Sequence, residues 1–444
     1  MKKILLIKLA VPVIAALLLC ACAKSGETVS SKSLTPNVAE QPTKKVAANE
    51  TIRFLEERIK RNPEDFIAYN KLASEYLQKM RETGDATYLD LASRAATASL
   101  EILPAYQNKE GLATLALVKY SSHEFAAARD YAKQLIELEP NKGYPFQILG
   151  DALLELGQYE EAEAAFREME SLGGIQVITQ SAMKQRLARL ADLKGDRNDA
   201  KKHYSTALKL AQSMPLPPPE TVAFCQWQLG ETAFAEGEYE TAEKYYKDSL
   251  AAFPDYTNAL ASMGQIRAAR GDVPGAIDFY ERAMRRLPDI TFVAALGDLY
   301  KIAGREPEAQ KQYELVEQIG HLSELNGALY NRGLALFYAD QDIKTEKAYN
   351  LAAKEYEVRR DIYGADALAW TALKVGKLPE VQTAIKDALR LGTQDAKLFY
   401  HAAMIARASG DEATAHDYFK RMLELNPQFD PRQSAIAKTL FENR

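Results

Sequence analysis

The chain has 444 residues, of which 47% are hydrophobic and 26% charged, enough apolar material for a large core and no signature of global disorder. Its formal charge is −5; Lys2, Lys3 and Lys8 are the only charged residues of 1–21, and taking them from 56 basic side chains leaves 53 against 61 acidic ones, a net −8. Such a surface, with alternating signs and no basic cluster among aromatics, argues against nucleic acid as a partner.

Residues 1–21 read as an export signal, with Lys2 and Lys3 ahead of a short apolar run from Leu9 to Leu19. Lys8 and Pro12 interrupt the apolar stretch, which is shorter than the ~20 residues of a spanning helix. Leu19 at −3 and Ala21 at −1 of Cys22 resemble the lipobox of bacterial lipoproteins. That resemblance implies cleavage before Cys22 and its lipidation, the alternative being ordinary cleavage with an incidental cysteine. Ala23, rather than Asp, resembles the class sorted to the outer membrane, which implies a lipid-anchored envelope protein facing the periplasm. Only Cys22 and Cys225 then remain, so a lipidated Cys22 leaves no intrachain disulfide, and Cys225 reads as a small buried hydrophobe.

Residues 22–49 combine the lipidated cysteine with a Ser-, Thr-, Lys- and Pro-rich stretch too poor in large apolar side chains to fold. As a flexible tether it reaches roughly 25 to 30 Å. Residues 50–63 hold a covering helix, Ile52 to Lys60. From there helix-period segments alternate with short breaks and nothing alternates like a strand, so the fold class is all-α.

Over residues 64–427 small side chains recur at Ala73, Ala116, Gly150, Ala188, Gly230, Gly264, Gly297, Gly333, Ala369 and Ala403, with intervals of 34, 33, 36, 36 and 34 from Gly230 onward. Twelve positions after each marker but the first comes a second one, as at Ala162, Ala242, Ala276, Thr345 and Ala415, and in seven units an aromatic stands four further on, as at Phe166, Tyr246, Tyr280 and Phe419. The first unit departs, with Ala73 and Ala92 nineteen apart, which predicts a longer turn near Arg81 to Tyr88. Pro104, Pro140, Pro254, Pro288 and Pro427 close units, and Gly157, Gly195, Gly237, Gly271, Gly304, Gly376 and Gly410 mark turns within them. Met214 to Glu220 is a proline-rich junction, read as a spacer or, alternatively, a ligand motif. Residues 428–444 supply a closing helix, Arg432 to Leu440.

This frame resembles the tetratricopeptide repeat, whose first half is carried by Leu149-Gly150, Leu229-Gly230, Met263-Gly264 and Leu296-Gly297 with Tyr300. The resemblance implies a right-handed superhelical solenoid of about ten helix-turn-helix repeats whose first helices line a concave groove. Carried over by offset from each marker, the groove positions are Phe224, Trp227, Glu231 and Phe234 in the fifth unit, then Asn258, Gln265 and Asp298. Tyr330, Phe337, Tyr363, Trp370, Tyr400, Met404 and Arg407 complete the set. Aromatics with polar tips beside charged groups suit a protein or peptide partner. Trp370→Ala is therefore expected to weaken a partner without loss of helicity. For Trp227 the packing position one residue away leaves a buried reading equally open.

No catalytic motif stands in a persuasive context: His123-Glu124 lacks a second histidine, and neither a Walker loop nor a G-x-S-x-G occurs. No two of the five histidines stand at metal-ligand spacing. The expectation is a non-enzymatic scaffold without metal or cofactor, docking or assembling an envelope complex. The rivals are a self-associating spacer, hence a homo-oligomer, and a carbohydrate-binding or enzymatic groove.

Overall fold

The computed structural model describes residues 40–442 apart from 84, 86, 173–176 and 326–330. The export signal, Cys22, the tether up to residue 39 and Tyr330 lie outside the described residues. Helix α1 (Glu40–Arg61) begins within the stretch read as tether; Pro42 falls in its first turn, where a missing N–H is harmless, and the Lys and Ala residues behind it are good helix formers.

Ten helix pairs follow, each hairpin packing its second helix back on its first. They are α2 (Phe66–Thr83) with α3 (Thr87–Ile102), α4 (Lys109–Ser121) with α5 (Phe125–Leu138), α6 (Gly143–Glu155) with α7 (Tyr159–Ser171), and α8 (Val177–Leu193) with α9 (Arg197–Gln212). Next come α10 (Pro219–Ala235) with α11 (Tyr239–Ala252), α12 (Thr257–Ala269) with α13 (Val273–Arg286), and α14 (Ile290–Ile302) with α15 (Glu306–Leu325). The last are α16 (Arg332–Asp340) with α17 (Thr345–Val358), α18 (Ile362–Lys374) with α19 (Leu378–Ala388), and α20 (Ala396–Ala408) with α21 (Glu412–Leu425), before the closing helix α22 (Pro431–Glu442). The extra residues of the first unit lengthen α2 to Thr83 more than they lengthen its turn. The proline-rich junction ends with Pro219 in the first turn of α10 and leaves Leu216 exposed.

The markers work by close approach. A Cβ on Gly150 would fall 2.3 Å from the Phe166 ring and one on Gly297 2.5 Å from the Tyr313 ring, so the aromatic of the second helix lies directly against its own unit's first helix. The eighth unit corrects the sequence register. Gly333 is the second residue of α16 and faces Ile290, whereas Ala335, fully buried with Ala352 and Ala367, takes the marker's place. Ala348, not Thr345, is the buried small residue of α17.

Within the units the turn backbone reverses through the left-handed region at φ 70–78° for the glycines from Gly157 to Gly410 named above. In the second unit His123 occupies this place at φ 62°, strained for a residue with a Cβ. Burial, and then the charge of Arg359, pushes its imidazole down to about 4. The unfolded histidine protonates near 6.5, so the folded state is fully favoured above that pH and loses stability as pH falls toward 4, at up to about 1.4 kcal/mol per pH unit. His123→Gly is expected to relieve the backbone and flatten this dependence; urea midpoints at pH 7 and pH 4.5 for both chains check it, and parallel slopes would refute it.

The array does not stay open. Units three, four and five meet units nine and ten and the closing segment along one continuous seam. The N–H of Ile362 donates to the Tyr159 hydroxyl at 2.9 Å, Thr393 donates to the Leu193 carbonyl, and Asn426 donates to the Phe234 carbonyl at 2.7 Å while accepting from Tyr239 at 2.7 Å. One core runs across it, joining Leu153, Phe166 and Leu190 to Ile362, Leu368 and Leu398. Turn glycines form the contact edge: a Cβ on Gly157 would collide with the Arg360 carbonyl, and one on Gly195 would lie 2.5 Å from the Gly392 carbonyl oxygen.

A buried ion cluster pins the seam. Arg332 lies 2.7 Å from Glu355 and 2.6 Å from Asp361, while Arg359 pairs with Glu355 at 3.1 Å and reaches across to Glu155. Burial alone would raise the Asp361 carboxyl, but Arg332 and Arg359 hold it below its usual value. A cleft of about 500 Å³ remains at the seam, lined by Arg129, Tyr356, Asp387 and Arg390; Arg390 donates to the Gly157 carbonyl at 3.4 Å and stands 5.3 Å over the Tyr159 ring, so this arginine serves the closure.

Candidate functional site

Several successive first helices contact one another along the array, and closure divides their inner face into an open part and a filled part. The open part centres on α10. Trp227 is half-buried, donates from its indole nitrogen to Ser262 Oγ at 3.0 Å, and lies 5.9 Å from the Phe224 ring and 6.1 Å from that of Tyr256. Glu231 accepts from the hydroxyls of Tyr246 and Ser262, each at 2.7 Å, and burial pushes its carboxyl up against these bonds. The result is a half-exposed run of three aromatic rings backed by one carboxyl group. Tyr256, just ahead of α12, was outside the sequence-based set because the offsets consider only positions within the helix.

Phe234, at the end of the same helix, turns inward and packs on Tyr239. Asn258, Tyr363, Met404 and Arg407 are half-buried. Arg189 stands 5.9 Å over the Tyr363 ring, and Arg186 pairs with Asp151 at 2.7 Å. These charges of units three and four escaped the offsets, which were carried over only from the fifth unit on.

Four expected groove residues need correction, Phe234 among them, since it lies in its unit's core with Ala242, Tyr246 and Ile266. Phe337 is buried beside Ile290, Val293 and Val316, with its ring 5.4 Å from Tyr313; the register set by Ala335 turns it into the core. Trp370 is 3% exposed, donates to Asp340 Oδ1 at 2.8 Å and stacks on His401 at 4.3 Å. Tyr400 is 2% exposed beside it. Both occupy inner-face offsets, yet closure has made that stretch an interior.

What fills it is the chain's own end. The Phe429 carbonyl accepts from Gln265 at 3.3 Å and the Phe429 ring lies 6.0 Å from Tyr400. Gln433 donates to Asp340 at 3.0 Å, the carboxylate that also holds Trp370. Asp298, which accepts from Tyr313 at 2.6 Å and Gln341 at 2.8 Å, faces the same segment. Between Gln265, Tyr280, Asp298 and residues 429–432 a void of about 60 Å³ is left, well short of the ~300 Å³ of a small ligand site.

Cys225 is buried and its thiol is pushed up to about 12 by burial, an unreactive setting. Among the described residues no cluster of three or more His, Cys, Asp or Glu is placed to hold a metal, and no helix is long and apolar enough to cross a membrane.

A tetratricopeptide repeat family model matches residues 114–173 and 228–289. No curated protein matches the chain. Among solved structures the chain is similar to PilW, a widely conserved type IV pilus biogenesis factor, at 16% identity over 47% of this chain and 91% of that one, with a TM-score of 0.38. It is also similar to pilF of Pseudomonas aeruginosa (19% identity, 50% of this chain, 92% of that one, TM-score 0.37) and to yeast Tom70 (12%, 84%, 95%, 0.34). The described residues form an all-α array of ten helix pairs, with one helix before and one after them, packed pairwise as a tetratricopeptide-type repeat fold.

Proposed function

We propose that this chain is a membrane-anchored scaffold that binds a protein or peptide partner on the inner face of its helix array and so docks or assembles an envelope complex. Lipidated Cys22 is the anchor in this reading, residues after it the tether, and the outer membrane facing the periplasm the location. The observation that carries the binding role is the half-exposed row of Phe224, Trp227 and Tyr256 beside Glu231 on α10 and the start of α12. Rigid aromatic rings around a polar group are what binding hot spots are made of, and a lipid anchor raises the local concentration of a membrane-associated partner.

The test is crosslinking and affinity recovery of the lipid-intact protein from its own envelope, beside Trp227→Ala. A partner recovered at least tenfold less with the variant, at unchanged helicity, is the expected result. Equal recovery would move the binding face elsewhere, and recovery of the protein alone would favour self-assembly.

A further inference from the structure

We propose that residues 429–433, Phe-Asp-Pro-Arg-Gln, are the chain's own ligand in the inner groove, and that a partner occupying this stretch is a peptide segment offering the same chemistry: an aromatic ring, then an acid, a base and a terminal amide donor. The inference deepens the groove reading above and rests on it. Its basis is where this segment lies. Four sequence-predicted groove residues from different units, Gln265, Asp298, Trp370 and Tyr400, converge on it directly or through Asp340. Phe429 supplies the ring and a carbonyl for Gln265, and Gln433 supplies the amide for Asp340.

Arg432 lines the void with Asp298, so a base faces an acid there. Asp430 accepts from the backbone N–H groups of Arg432 and Gln433 at 2.9 and 2.7 Å, which fixes the segment's bend at the start of α22. The remaining void cannot hold a second segment, so the partner and residues 429–433 exclude each other. The displaced element is α22, which rests on α20 and α21 through Ala437 and the stacking of Phe441 on His416 at 4.6 Å. Local opening of α22 alone leaves the packed pairs before it in place.

The apparent affinity of an outside ligand falls by the fraction of molecules whose groove is open, and this is what the experiment reads. The probe is a fluorescein-labelled peptide with the sequence of residues 427–434, titrated by anisotropy against the full chain, Phe429→Ala and Gln433→Ala. Each variant should bind it about tenfold or more tightly than the unaltered chain, and Gln265→Ala added to either should remove the gain. Equal affinities for the unaltered chain and both variants, at equal helicity, would overturn the proposal. Should Phe429→Ala not fold, Gln433→Ala and hydrogen exchange on the unaltered chain decide: excess unlabelled peptide should speed exchange at 431–442, and unchanged exchange overturns it. A partner that depends on Trp227 while these tests fail would leave the scaffold reading standing and sink only this one; peptide exchange without any Trp227-dependent partner would do the reverse.

Discussion

Asp361→Ala is expected to destabilise the chain by about 3 to 5 kcal/mol, the range for removing one partner of a buried ion pair. Asp361 and Glu355 are both nearly inaccessible, and Arg332 and Arg359 are themselves mostly buried. Losing Asp361 leaves two guanidinium groups with fewer compensating charges in a place water does not reach, which is worse than the loss of the attraction itself. The same carboxylate caps α18, accepting from the N–H groups of Tyr363 and Gly364 at 3.1 Å, and a lost cap adds about 1 kcal/mol. Asp361→Asn keeps the cap acceptor and should therefore be the milder variant. The pH signature follows from the lowered carboxyl: its contribution is complete above the unfolded value and disappears only as pH falls through the lower folded one. Denaturant midpoints at pH 7 and pH 3 give the size, and hydrogen exchange tells where: the seam amides, Ile362 among them, should open first. A loss below 1 kcal/mol would mean that water reaches the cluster.

Trp370→Ala should cost about 3 to 5 kcal/mol, as truncations of buried large aromatics do. The ring is enclosed by His401, Tyr400 and Lys374, and its removal also leaves Asp340 without the indole N–H. Trp370→Phe keeps most of the stacking, so it should lose mainly the hydrogen bond, about 1 to 3 kcal/mol. This reverses the expectation from sequence, under which Trp370 would matter for a partner and not for folding. Urea denaturation checks it, and near-unaltered stability of Trp370→Ala would return the residue to an accessible groove.

The pairing of helices and the turns were legible because each is local: the residues involved lie within one unit and recur with its period. The eighth unit misled because Gly333 stands near the expected place, while the residue that fits beneath α17 is an alanine two positions on, and small residues are common enough to imitate one another. Closure was not legible at all. Arg359 meets Glu155, and Thr393 meets Leu193, across about 200 residues. In sequence these look like ordinary solvated charges and loop polars, since nothing periodic links them. The inner-face offsets consequently could not say which positions stay accessible; Trp227 and Trp370 satisfy the same pattern, yet one is half-buried and the other is enclosed by Tyr400, His401 and Lys374.

In an open solenoid, repeats are interchangeable, since each needs only its neighbours. The seam removes that freedom here. Gly157 must reach Arg360, Gly195 must reach Gly392, and the Phe234 carbonyl must reach Asn426, three meetings at successive units. Gaining or losing a single pair between the two edges would set every one of them against the wrong neighbour, so the copy number of the array is as fixed as the length of a ring.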